Sequence, residues 1–93
     1  MNTYQTANTI RMTNTFKNFD GQLVDPDAVK FIVYDSAFRK IEEEVLGSAN
    51  RLSLGVYAFH YIPTTEGRFT YEWYCEIDNY PSLKRVPIEI RRV

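Results

Sequence analysis

The sequence predicts an all-β domain, a two-sheet antiparallel sandwich of about seven strands. Three observations predict it. Apolar residues recur at every second position in one segment after another, and turn residues interrupt those segments at intervals of about ten residues. Aromatic residues make up 15% of the chain, as seven Tyr, six Phe and one Trp, and this class suits pleated, half-buried surfaces. Strands with two apolar faces in so small a chain need two sheets, because a single open sheet would leave one face wet.

Residues 1–8 read as a flexible N-terminal segment and residues 9–93 as one domain. The first strand is "TIRMTNTFK", in which Ile10, Met12 and Phe16 alternate with Arg11, Thr13 and Thr15. Asp20-Gly21 and Asp25-Pro26 then supply turn chemistry. In "AVKFIVYD", Val29, Phe31 and Val33 point inward, and Ile32 and Tyr34 need some other cover. Residues 36–47 are ambiguous. Phe38, Ile41 and Val45 fit a helical stripe with Gly47 as its stop, whereas Ile41, Glu43 and Val45 also alternate, and a helix would leave the preceding strand without an adjacent partner. "RLS" is a short edge strand broken by Gly55. "VYAFHYIP" alternates Tyr57, Phe59 and Tyr61 against Val56, Ala58, His60 and Ile62 until Pro63 ends it.

The next stretch, "GRFTYEWYCEID", places Phe69, Tyr71, Trp73, Cys75 and Ile77 on one face. "DNYP" turns it into "LKRVPIEIRRV", where Val86, Ile88 and Ile90 alternate and Pro87 requires an open edge or a bulge. The expected core is therefore Phe31, Phe59, Tyr61, Phe69, Tyr71 and Trp73.

Composition narrows the function classes. Eleven Lys and Arg balance twelve Asp and Glu for a net charge of −1, so no general attraction to nucleic acid or anionic lipid is implied. No run approaches the ~18 apolar residues of a membrane span. A single cysteine makes no intramolecular disulfide and fits a reducing compartment or a domain that does not depend on cross-links. As a nucleophile Cys75 would need a base, and the one histidine, His60, lies in the opposite phase; a buried, inert thiol is expected. No second His or Cys offers a zinc or iron site, and no cofactor is implied. Asp20, Asp25 and Asp27 have calcium-like composition without a calcium-loop spacing, and turn chemistry explains them. Glu42, Glu43 and Glu44 read as a solvated edge rather than a hydrolytic carboxylate pair, because strand neighbours alternate faces. Lys84, Arg85, Arg91 and Arg92 are too few for a nucleic-acid groove.

Val33-Tyr34-Asp35, Gly55-Val56-Tyr57, Pro63, Glu66-Gly67, Tyr71-Glu72-Trp73 and Leu83-Lys84-Arg85 together resemble the frame of short immunoglobulin-like or macroglobulin-like β-sandwich proteins of tailed bacteriophages and prophages. The resemblance spans about residues 9–91 and departs from the family at Cys75, where a small residue is usual. It implies an immunoglobulin-like fold and a non-enzymatic structural or morphogenesis protein of the head or head-to-tail region. It implies location in the virion after synthesis in the host cytoplasm, and other virion proteins as partners. The expected docking surface is an exposed strand edge together with Tyr74, Tyr80, Lys84 and Arg85, since Tyr and Arg are enriched at interfaces and an open sandwich keeps edges a partner strand could extend; Pro87 and the Glu42 to Glu44 run restrict which edges remain available. The free chain is expected as a monomer or weak oligomer. The alternative is a carbohydrate-binding module stacking sugars on Tyr34, Tyr74 or Tyr80.

Overall fold

A computed structural model describes residues 2–92; Met1 and Val93, which end the two expected segments, lie outside the described residues. The chain is all-β and forms two sheets. Its strands are β1 (Asn2–Gln5), β2 (Ile10–Thr15), β3 (Ala28–Tyr34), β4 (Lys40–Leu46), β5 (Arg51–Ser53), β6 (Val56–Tyr61), β7 (Gly67–Ile77) and β8 (Tyr80–Arg91), with one 3₁₀ turn at Ser48–Asn50. The larger sheet runs β1-β8-β7-β3-β4 and the smaller β2-β6-β5.

The helical alternative for residues 36–47 is not what forms: Lys40–Leu46 pairs with β3 as an antiparallel strand. Two expectations need correction. Asn2–Gln5, expected within a flexible segment, forms an additional edge strand, giving eight strands among the described residues. It also runs parallel to β8, with Tyr4 opposite Ile90, so the larger sheet is not wholly antiparallel. Tyr4 packs against the core, which gives this short strand an apolar reason to dock.

The centre of the sandwich is Phe31, with 0% exposure. Its ring lies 4.9 Å from Phe59 and 6.0 Å from Tyr61 of the small sheet, and 5.6 Å from Tyr71 and 5.3 Å from Trp73 of its own. Phe16 meets Trp73 and Tyr57 edge-on at 6.1 and 5.6 Å. Ring pairs at these separations add to simple area burial. Of the six aromatic residues expected in the core, Phe31, Tyr61 and Trp73 are buried, while Phe59, Phe69 and Tyr71 are partly buried against it.

Local chemistry sets the connections. Asp78 and Asn79 both take positive φ, 54° and 66°, between paired Ile77 and Tyr80, the two-residue geometry that matches strand twist. Pro81 and Pro87 lie where β8 has only β7 beside it, since β1 pairs from Ile88 onward, so their missing N–H groups cost no second ladder. Gly55 sits at φ +72°, and a Cβ there would come within 2.8 Å of the Phe16 carbonyl; only glycine lets these backbones meet.

Trp73 is 2% exposed. Replacing it with Ala should cost about 3–5 kcal/mol and lower the thermal midpoint by more than roughly 10 °C. An unchanged midpoint in a calorimetric scan would place the ring outside the core.

Candidate functional site

Because side chains alternate, the register that buries Phe31 and Trp73 sends Ile32, Glu72 and Arg85 to the opposite, outer face of the large sheet, in one row with Glu43 of β4. Glu72 is the one buried charged residue among those described. Its side chain is 4% exposed, and Arg85 donates Nε–H to its Oε1 at 2.7 Å. The Tyr34 hydroxyl donates to Oε2 at 3.4 Å. A carboxylate out of water requires such partners. The arginine also lies over two rings, 5.6 Å from the centre of Tyr34 and 6.0 Å from that of Phe38, in cation–π geometry.

Phe38 belongs to the connection between β3 and β4. The Asp35 carboxylate accepts the Ala37 and Arg39 backbone N–H groups at 2.9 Å and pairs with Arg39 Nε at 3.0 Å. These contacts hold the Asp35 carboxyl below its ordinary pKa, the Arg39 backbone N–H leading. Phe38 closes the loop in the left-handed region, at φ 59°, a conformation a bulky residue adopts only when its surroundings impose it. Phe38 is 60% exposed as a residue, with its ring beside Tyr34 at 6.1 Å.

The same connection shifts the β4 register. Glu42 pairs with Val33 and Lys40 with Tyr34, so Ile41 is an extra residue. The alternation expected for Ile41, Glu43 and Val45 is thereby broken. Glu43 and Val45 stay in the outer phase, with Lys40 and Glu43 bridging at 3.1 Å, while Ile41 and Glu42 share a cleft with Tyr61, Ile62 and Phe69 on the inner side of the strand. Glu42 and Glu44 are in phase with buried Val33 and Phe31, but Glu44 is exposed and Glu42 partly so. Burial, with Glu44 beside it, pushes the Glu42 carboxyl above its ordinary value.

The residues expected to dock do not form one patch. Tyr74 and Arg85 are on the outer face, with Lys30 5.7 Å over the Tyr74 ring. Tyr80 and Lys84 pair with Ile77 and Trp73 and therefore lie in the opposite phase. Tyr80 instead meets the exposed Phe19 edge-on at 6.0 Å. Of the tyrosines considered for sugar stacking, Tyr34 and Tyr74 share the outer face and Tyr80 does not. Cys75 is buried, and that burial raises its thiol pKa; His60 is exposed on β6, opposite Arg11. Asp25 is spent on structure. Its carboxylate accepts the Gly55 N–H and pairs with Arg51, both at 2.9 Å, and the Gly55 contact is the leading reason its pKa is lowered. Among the described residues no three His, Cys, Asp or Glu side chains converge as metal ligands. Sequence reasoning missed Glu72 and Phe38; the Asp35-to-Arg39 spacing that closes the loop was the available signal for Phe38.

Comparison with protein-family models, curated proteins and solved structures finds no match.

Two outcomes follow from this geometry. Phe38→Gly should be more stable than Phe38→Ala by about 1 kcal/mol in urea denaturation, since both lose the ring and only glycine accepts the left-handed backbone freely. Equal stabilities would mean the backbone carries no strain there. Glu42→Gln should stabilise the fold by up to about 0.5 kcal/mol at neutral pH. The sign follows from its raised carboxyl pKa: charged Glu42 is less at ease folded than unfolded, so the penalty exists above the folded pKa and vanishes below the ordinary Glu range. The gain of the variant should therefore disappear in the same assay near pH 3.

Proposed function

We propose that this chain is a non-enzymatic, immunoglobulin-like docking protein of a tailed-phage particle, acting through the outer face of its five-stranded sheet. The observation that carries the docking reading is Phe38, an exposed aromatic residue on a strained backbone, flanked by an arginine already oriented by a buried carboxylate. Exposed aromatic and Arg side chains of fixed geometry are the residues that dominate protein interfaces, and a pre-ordered Arg loses less rotamer entropy on binding. Arg85 and Tyr74 of the expected surface belong to this face. Tyr80 and Lys84 do not, and the docking assignment passes from them to Tyr34 and Phe38.

Strand order supports the immunoglobulin-like part. Lettered along the chain from β2 as B, the small sheet is B-E-D and the large one contains G-F-C followed by an added C′ strand, the arrangement of that sandwich class. The virion assignment rests on the sequence frame set out above and is independent of the docking geometry.

The test is composition and incorporation. Purified particles or assembly intermediates should contain the protein by mass spectrometry, and Phe38→Gly, folded normally by circular dichroism, should be incorporated several-fold less. Absence from both would overturn the virion reading. Binding to a glycan panel that is lost on Tyr34→Ala with Tyr74→Ala would instead favour the carbohydrate module.

A further inference from the structure

The large sheet ends at β4, and among the described residues no strand pairs with the far side of Lys40–Leu46. Unpaired backbone groups at such an edge are a template for another strand. Proteins commonly blunt these edges, and three consecutive glutamates do so here, but they are not evenly satisfied. Glu43 is bridged to Lys40, whereas Glu42 and Glu44 have neither a hydrogen-bond nor an ion-pair partner among the described residues. These two lie in one phase, on the inner side of the strand, where Glu42 joins Ile41, Tyr61 and Phe69 around the open cleft. On the outer side Val45 is 74% exposed.

Charge decides which occupant fits. A second copy of this strand paired antiparallel about Glu43 would set Glu42 against Glu44 twice and Glu43 against itself, and like charges directly opposite are destabilising. An extended segment carrying Lys or Arg at alternate positions satisfies both free carboxylates. Its basic side chain opposite Glu42 enters a cleft whose aromatic walls suit a cation. The intervening outward residue packs as an apolar neighbour near Val45. Main-chain bonds then give affinity and the alternating pockets give sequence preference.

We propose that β4 is a strand-addition site for a partner segment of basic–apolar–basic pattern, held through Glu42 and Glu44. The proposal rests on the docking reading and names its partner's chemistry, but it uses the edge rather than the Phe38 face.

The test uses the whole chain and a synthetic peptide of alternating Lys and Val, with a control of the same composition in which all the lysines are consecutive. The alternating peptide should bind and the block control should bind much less. Glu42→Gln with Glu44→Gln should weaken binding about tenfold, the worth of two partly screened ion pairs, and Phe38→Gly should leave it unchanged. N-methylation of the peptide amides on one alternate set should abolish binding and on the other set should not, which separates strand pairing from simple charge attraction. Equal binding of the block control, indifference to N-methylation of either set, or unchanged affinity of the double variant would overturn the site. Self-association of the chain that the double variant abolishes would also overturn it, in favour of a second copy. Loss of particle incorporation in Phe38→Gly with intact peptide binding separates the two surfaces, and peptide binding by a protein absent from particles would overturn the virion reading alone.

Discussion

The ring cluster around Phe31 is the constraint on which the other features depend. It joins β3 and β7 of one sheet to β6 of the other, through Trp73, Tyr71, Phe59 and Tyr61. A slip of β3 by one residue would move Val29, Phe31 and Val33 to the outer face and bring Lys30, Ile32 and Tyr34 into the sandwich. The register is therefore fixed by several buried rings acting together rather than by the turns alone. Burial of the rings also fixes everything on the opposite face, because alternation leaves no freedom to place Glu72, Tyr34 and Arg85 elsewhere.

That dependence explains an otherwise costly feature. A glutamate in the middle of an outer sheet face would ordinarily be solvated, yet Glu72 is closed over by Arg85 and Tyr34, with Phe38 beside them. Removing water from a carboxylate is unfavourable unless charge-assisted bonds replace it. Here the replacement consumes one edge of the Arg85 guanidinium and orients the rest of it against two rings. The face thus presents an arginine that is already hydrogen-bonded and set over two rings in the unbound chain. The strained Phe38 is held separately, by Asp35, whose carboxylate ties the Ala37 and Arg39 flanks of its loop.

Much of this was legible in the sequence, for a physical reason: period two survives wherever a strand is buried on one face. Met12, Phe31, Tyr61, Trp73 and Cys75 declare their phase directly, and Pro87 declares that β8 is open beside it. What failed did so where a single inserted residue or a turn changed the phase. The extra residue at Ile41 takes it out of phase with Glu43 and Val45, so the alternation expected for these three does not hold. Tyr80 lies beyond a two-residue turn, and its face depends on how Ile77 pairs rather than on its own neighbours. Asn2–Gln5 has too little alternation to announce a strand; it forms because β8 presents an open ladder and Tyr4 finds the core. Glu72 was invisible as a buried group because its partners, Tyr34 and Arg85, are 38 and 13 residues away.

The acidic run on β4 shows how protection and recognition arise from the same charges. Three glutamates on an open edge repel a like edge, which opposes both aggregation and pairing between copies. The repulsion is not neutral toward every strand, however. Glu43 is answered by Lys40 within the chain, and the inner-phase pair Glu42 and Glu44 is left with its field directed at whatever lies beside the edge. A neutral strand would have to exclude water from these carboxylates without offering anything in return, and an acidic one would add repulsion. A strand that brings its own cations at alternate positions would turn the charges that oppose pairing of two copies about Glu43 into an attraction, so one set of side chains can both discourage that pairing and restrict what the open edge accepts.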